Sequence, residues 1–240
     1  MNNLRNSLLA VALMPSALLA ATPAQPAAPA FDSSIVSGLG ARNIGSAAMS
    51  GRISSLDAVT LADGKLALWV GAASGGVWKS LDGGTTFTPV FDDQPVQSIG
   101  VVEIDERNPE AVWVGTGEAW TRNSVSIGNG IYRTTDGGDT WQHLGLDGSE
   151  RISDIRIDPR ASDTVYACVT GRLWSDSLER GVYRTRDGGK TWQQVLKAPN
   201  ASTGCASLSM DEKNPDVLYA ALWDFRRKGW TFRSGGESPT

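Results

Sequence analysis

The chain has 240 residues, and its 22 Lys and Arg against 26 Asp and Glu give a formal net charge of −4. This mildly acidic balance lacks the net positive charge that is typical of nucleic-acid binding, so we expect no nucleic-acid partner. The single histidine, His143, excludes a metal site built on a histidine pair, and two cysteines are too few for a zinc ribbon or a disulfide framework. Glycine, with 27 residues, and tryptophan, with nine, are abundant. Together they favour β structure with many tight turns.

The N-terminus has the pattern of a secretory signal peptide, which we place at residues 1–24. One cation, Arg5, precedes an apolar stretch over residues 7–21 that ends in small residues. The stretch is too short for a membrane span. Residues 25–38 are rich in Pro and Ala and predict an extended linker. We therefore expect a secreted or periplasmic protein with no membrane span after cleavage.

One octapeptide occurs three times, with its aspartates 54 and 51 residues apart. A short alternating segment precedes each copy, and the second and third copies are each followed by another. Asp-Gly-Gly supplies the positive φ values of a tight turn, so each octapeptide predicts the turn of a β-hairpin. The copies are Ser80–Phe87, Thr134–Trp141 and Thr185–Trp192.

A second repeated element lies upstream of each later octapeptide, where an aspartate leads into a proline-containing turn and another strand. Its aspartates, Asp105, Asp158 and Asp211, are 53 residues apart. Four antiparallel strands in about 50 residues form one blade of a β-propeller, so the sequence predicts an all-β propeller that begins at about residue 39. The predicted blades are residues 52–91, 98–146, 151–196 and an incomplete 204–240. Because a propeller needs four to eight blades, we expect the remainder of the ring downstream.

The octapeptide resembles the Asp-box, or bacterial neuraminidase repeat. With Arg42-Asn-Ile-Gly45, Ser50-Gly-Arg-Ile53 and Gly71–Ser80, it makes residues 42–236 similar to a group of exported bacterial propellers. That group is related to the N-terminal domain of sortilin-type sorting receptors, and its members are often labelled glycosyl hydrolases. The resemblance implies a propeller fold, whereas function has to be argued from a site.

The octapeptide residues are predicted to be structural. Their aspartates can accept hydrogen bonds from backbone N–H groups of the same turn, and the threonines can close the network. Asp-Gly-Gly lacks the dense oxygen ligands of a calcium loop, and no Gly-Lys-Ser/Thr follows for phosphate. We therefore expect neither metal nor cofactor. The residues are Ser80, Asp82, Gly84, Thr86, Phe87, Thr134, Asp136, Gly138, Thr140, Trp141, Thr185, Asp187, Gly189, Thr191 and Trp192.

The opposite face of the propeller is the predicted ligand face, because the loops between the second and third strands of each blade vary there. Aromatic faces with interspersed charges suit a protein, peptide or glycan ligand. The alternative is that each tryptophan packs its own loop against the next blade. The candidate residues are Arg52, Glu118, Trp120, Arg122, Arg151, Arg172, Trp174 and Trp223.

Two functions follow from this pattern: an interaction scaffold, which we favour, and a glycoside hydrolase that uses two carboxylates. Asp-box xyloglucanases carry a catalytic Asp two residues before a Gly-Gly, where this chain has Ala73. Sialidases carry Arg-Ile-Pro, where this chain has Ser54 after Arg52-Ile53. We therefore assign no catalytic residue. Glu118, Asp176, Glu179 and Asp224 remain the carboxylates that a hydrolase would draw on in this part of the chain.

His143 follows an octapeptide in an outer strand, which predicts a surface position. Cys168 and Cys205 fall in adjacent predicted blades. Their spacing allows either a disulfide or two buried thiols, since it does not fix the distance between their Cα atoms.

Overall fold

The computed structural model describes residues 52–235, which all belong to one structural unit. The predicted signal peptide, the linker, the motif at residues 42–45 and the last five residues lie outside this range. One short 3-10 turn, Asp147–Ser149, accompanies the strands. The strands are β1 (Ile53–Thr60), β2 (Leu66–Ala72), β3 (Gly76–Ser80), β4 (Thr88–Pro89), β5 (Ile99–Ile104), β6 (Val112–Thr116), β7 (Ile131–Thr134), β8 (Gln142–His143), β9 (Ile152–Asp158), β10 (Ala161–Val169), β11 (Gly181–Thr185), β12 (Gln193–Lys197), β13 (Thr203–Met210), β14 (Leu218–Lys228) and β15 (Thr231–Ser234).

The strands form four antiparallel sheets in chain order, which confirms the predicted all-β propeller fold. The orders are β1-β2-β3-β4, β5-β6-β7-β8, β9-β10-β11-β12 and β13-β14-β15. In the fourth sheet β13 pairs with the first part of β14, whereas β15 pairs with its last four residues, Phe225–Lys228. Among residues 52–235 this blade therefore has two regular strands and a hairpin that extends beyond them. No helix in that range is long and apolar enough to cross a membrane.

Side chains of the innermost strands tie each blade to the next. Asp57 on β1 accepts a hydrogen bond from the backbone N–H of Ile104 at 2.7 Å. Asp154 on β9 accepts one from the N–H of Leu208 at 2.9 Å. These bonds satisfy backbone donors that the sheet's own ladder leaves free on the channel side, and so they fix the spacing of adjacent blades.

Tryptophans fill the space between blades, in a pattern that repeats. Trp141, which closes the second octapeptide, meets buried Trp69 of the first blade edge-on, with ring centroids 6.3 Å apart. Trp192 meets Trp113 of the second blade in the same way, also at 6.3 Å. Such perpendicular aromatic pairs add to the energy of apolar burial. The ring nitrogens of Trp141 and Trp192 donate to carbonyls of the preceding blade at 2.7 and 2.8 Å.

The octapeptide turns share five internal hydrogen bonds in all three copies. In the second copy Asp136 Oδ1 accepts from the Thr134 hydroxyl at 2.6 Å and from the Thr140 N–H at 2.9 Å. These hydrogen bonds lower the pKa of Asp136 to about 2. Gly138 has a φ of 97°, and a Cβ there would lie 3.1 Å from the Trp69 ring. Glycine is therefore required both by the turn and by the tryptophan of the preceding blade.

The two cysteines, whose state the spacing left open, form a disulfide with Cα atoms 5.2 Å apart. Cys168 lies on β10 and Cys205 on β13, and both are fully buried. The bond therefore links the third and fourth blades covalently.

Candidate functional site

Each innermost strand carries a bulge at the same place, near the face that bears the loops between second and third strands. The pairing register shifts there in all four blades. A bulge leaves one residue unpaired and turns it away from the ladder. The four unpaired residues lie together in the lining of one cavity of about 260 Å3. They are Ser54, Gly100, Ser153 and Ala206. The other lining residues come from loops, except Trp223, which lies on β14.

Trp120 stands at the rim of this cavity and of a second one beside it. The second cavity measures about 230 Å3 and shares Ser54 and Trp120 with the first. The Trp120 side chain is 63% exposed, although its ring has the largest apolar area of any side chain. The structure therefore does not use Trp120 for packing, which was the alternative interpretation of the loop tryptophans.

Trp223 lines the first cavity together with Trp120. Its ring lies 4.9 Å from that of Phe225 and 5.9 Å from that of Phe232, and its nitrogen donates to the Ser234 hydroxyl at 3.0 Å. Trp223 is thus held in a fixed orientation by the β14–β15 hairpin. An exposed ring, Trp120, and a ring held by its neighbours, Trp223, border the same opening.

Arg52 and Glu118 form a bidentate ion pair in the second cavity. Arg52 Nε donates to Glu118 Oε1 at 2.9 Å, and Nη2 donates to Oε2 at 2.6 Å. Glu118 is fully buried, and its hydrogen bonds raise the pKa of Arg52. The pair joins the first blade to the loop of the second, and it leaves the carboxylate without exposure to solvent. Arg122 lines the same cavity.

The other candidate residues lie apart from these cavities. Arg151 is buried and donates to Glu150 at 3.0 Å, and burial lowers its pKa. Arg172 lies 3.6 Å from the same carboxylate. Trp174 is 46% exposed but lines neither cavity. Arg52, Glu118, Trp120, Arg122 and Trp223 thus line one or both cavities, whereas Arg151, Arg172 and Trp174 line neither.

The β14–β15 hairpin reaches the loops of two other blades. Arg226 is hydrogen-bonded to Asp176 of the third blade, and the backbone N–H of Arg227 donates to the Leu173 carbonyl at 3.3 Å. The Arg227 side chain donates to Asn123 Oδ1 of the second blade at 2.5 Å. Sequence reasoning missed these contacts. The clue was the run Arg226-Arg227-Lys228 next to aromatic residues, in a segment without an octapeptide.

The carboxylates of this face are held by hydrogen bonds. Arg233 donates to both oxygens of Asp224 and lowers its pKa, and the Ser177 hydroxyl lowers the pKa of Glu179. Such carboxylates stay ionised, whereas a general acid needs a raised pKa. Within residues 52–235, no group of three or more His, Cys, Asp and Glu side chains is placed to hold a metal ion.

The opposite end of the channel holds a larger cavity, of about 690 Å3, that sequence reasoning did not identify. Asp57, Glu103 and Arg156 line it from three blades. Arg156 donates to Glu103 at 3.0 Å, yet burial raises the pKa of Glu103 to about 8. Glu103 and Arg156 are 53 residues apart, which is the repeat length, and this spacing was the available clue.

The Sortilin-Vps10 family model matches residues 75–214, which is more than half of the chain. Its description reads "Sortilin, neurotensin receptor 3". The chain belongs to the Sortilin-Vps10 family. This assignment confirms the resemblance to sortilin-type propellers.

The relatives also include glycoside hydrolases. A xyloglucanase from Paenibacillus sp. is 26% identical over 124 residues, a match that covers 47% of this chain and 11% of the enzyme. The crystal structure of an ancestral GH74 enzyme superposes with a TM-score of 0.58 at 17% identity, and covers 72% of this chain and 22% of the enzyme. A YCF48 structure bound to D1 peptide has a TM-score of 0.42 at 16% identity, covering 79% of this chain and 59% of that one. The chain is thus a propeller related to GH74 xyloglucanases, and it spans a small part of their length.

Proposed function

We propose that this chain is a carbohydrate-binding propeller module, with Trp120 and Trp223 as its sugar-binding surface. Sugar rings present faces of C–H groups, which pack on aromatic rings while the hydroxyl groups stay near water. Trp120, on the rim of two adjoining cavities, offers such a face to solvent.

The observation that carries the proposal is the 63% exposure of Trp120. A tryptophan left in water on a rigid scaffold forgoes the apolar burial that most tryptophans obtain. Exposed aromatic residues beside a cavity are typical of binding sites. Trp223 across the opening is oriented in advance by Phe225 and Phe232, which lowers the entropy cost of binding.

The carboxylates of this face favour binding over hydrolysis. A glycoside hydrolase needs one carboxylic acid to protonate the leaving group and one carboxylate as base or nucleophile. Glu118 is buried in its pair with Arg52, and Asp224 is bound by Arg233. The residues around the two cavities therefore offer a place for a sugar without a free acid beside it.

The xyloglucanase likeness supports a polysaccharide as the ligand class, and it also supports the second candidate function, a glycoside hydrolase. Glu103 favours that second candidate, because its pKa of about 8 keeps the carboxyl protonated at neutral pH. It lies on the other cavity, so the two functions would use different ends of the channel.

Affinity electrophoresis in gels that contain xyloglucan tests the proposal. We expect the full chain to be retarded, and Trp120→Ala to weaken binding about tenfold, equivalent to ~1.4 kcal/mol. Trp174→Ala is the matched control, since Trp174 is also exposed but lines neither cavity. Equal loss in both variants, or no retardation in gels of several neutral and acidic polysaccharides, would contradict it. Reducing-sugar release that is lost in Glu103→Gln would establish the hydrolase instead.

A further inference from the structure

The loops and the hairpin around Trp120 carry an excess of positive charge, although the whole chain has a net charge of −4. Nine cations and five carboxylates lie in the loops between second and third strands, in the β14–β15 hairpin and at the residues that begin the inner strands. The cations are Arg52, Arg122, Arg151, Arg172, Arg180, Arg226, Arg227, Lys228 and Arg233, and the carboxylates are Glu118, Glu150, Asp176, Glu179 and Asp224. Asp92, Asp93 and Asp147 lie on links between blades and line neither cavity.

The carboxylates in this set are already engaged. Four of them form ion pairs with arginine: Glu118 with Arg52, Glu150 with Arg151, Asp176 with Arg226 and Asp224 with Arg233. The fifth, Glu179, accepts a hydrogen bond from Ser177. The excess positive charge is therefore not neutralised within these loops and the hairpin.

Three exposed or half-buried cations lack a carboxylate partner among the described residues. Arg122 is exposed at the rim of the second cavity. Arg227 donates to a neutral acceptor, Asn123, and lies over the Phe232 ring at 5.6 Å. Lys228, the next residue, is exposed, and its ammonium group lies 6.0 Å from the Trp230 ring centre.

The hairpin contact brings these charges together. Arg227 is bonded to Asn123, which is the chain neighbour of Arg122. Trp120 lies two residues before Arg122 and lines the same cavity. Arg122 of the second blade and Arg227 of the fourth therefore lie near the aromatic surface, and Lys228 follows Arg227 in the hairpin.

We propose that the ligand of this face is an acidic polysaccharide, whose carboxylate or sulfate groups are bound by Arg122, Arg227 and Lys228 while a sugar ring packs on Trp120. The inference rests on the proposed carbohydrate binding and specifies the charge of the ligand. Guanidinium groups bind carboxylate and sulfate oxygens through paired N–H donors, and such charged hydrogen bonds are about twice as strong as neutral ones. An uncharged polysaccharide would leave these cations uncompensated.

Binding of the full chain to four polymers tests the inference: polygalacturonate, dextran sulfate, neutral xyloglucan and polyglutamate. The test variant is Arg122→Gln with Lys228→Gln, because neither side chain donates a hydrogen bond within the described residues, so folding should be retained. The control is Arg186→Gln, an exposed arginine in the third octapeptide turn, on the opposite face. Circular dichroism checks folding of every variant.

We expect polygalacturonate or dextran sulfate to bind more tightly than xyloglucan, and the double variant to weaken that binding about tenfold or more. Xyloglucan binding should not change, and added salt should weaken only the acidic ligands. Tighter binding of polygalacturonate would indicate recognition of carboxylates, and tighter binding of dextran sulfate would indicate recognition of sulfates. Equal or tighter binding of xyloglucan, unaffected by the double variant, would overturn this inference and leave carbohydrate binding intact. Polyglutamate binding as tight as that of the acidic polysaccharides would assign the site to an acidic peptide and overturn it too.

Discussion

Removing the Cys168–Cys205 disulfide should destabilise the chain strongly. The bond closes a loop with a sequence separation of 37, and in the chain-entropy treatment such a loop contributes about 3–4 kcal/mol. Net stabilities of domains are only about 5–15 kcal/mol, so this loss is a large fraction of the total. The loop contains β11 and β12, so the covalent link limits how far the third and fourth blades can separate in the unfolded chain.

Urea unfolding of Cys168→Ala/Cys205→Ala beside the wild type measures the loss. With a slope of about 2 kcal/mol/M, the midpoint should fall by about 1.5–2 M. Reduced wild-type protein is the control, because it keeps both sulfur atoms and should unfold near the double variant. A loss under about 1 kcal/mol, or a reduced wild type as stable as the oxidised one, would refute the reasoning.

Three further predictions concern packing and pH. Phe91→Ala should cost about 3–5 kcal/mol, measured by urea unfolding, because the buried Phe91 ring contacts Trp141 at 5.0 Å across the first two blades. Gly100→Ala should abolish the folded state in thermal scans, since its Cβ would lie 2.1 Å from a backbone carbonyl oxygen of the next blade, whereas Gly229→Ala, with open space around it, should have little effect. Burial raises the pKa of Glu103 from 4.5 to about 8. The contribution of Glu103 to the free energy of unfolding is therefore full below about pH 4.5 and is lost as the pH rises towards 8. Glu103→Gln should therefore flatten the fall of the unfolding midpoint over that pH range, and an unchanged profile would contradict the assignment.

The fold could be predicted from the sequence because the information lies in local repeats. Asp-Gly-Gly requires a tight turn wherever it occurs, and a spacing of about 50 residues sets the length of a blade. The tryptophans of the octapeptides, Trp141 and Trp192, could be expected to pack on neighbouring strands. Their actual partners, Trp69 and Trp113, depend on how blades are arranged around the channel.

The site could be predicted only in part, because it depends on contacts between distant segments. The loop tryptophans have similar sequence contexts, yet Trp120 and Trp223 line a cavity and Trp174 does not. The β14–β15 hairpin lacked a repeat by which to place it, so its contact with Asn123 was not foreseen. The raised pKa of Glu103 follows from burial and from charges on other blades, which spacing alone does not reveal.

A crystal structure of the chain with a bound polysaccharide fragment is the most direct test of the binding surface. A galacturonate oligosaccharide is the suitable probe, because it offers both sugar faces and carboxylates. We expect one ring packed on Trp120, at the opening shared with Trp223, and a carboxylate within hydrogen-bonding distance of Arg122 or Arg227. An oligosaccharide bound beside Glu103 at the other end of the channel, with the Trp120 ring free, would contradict the account.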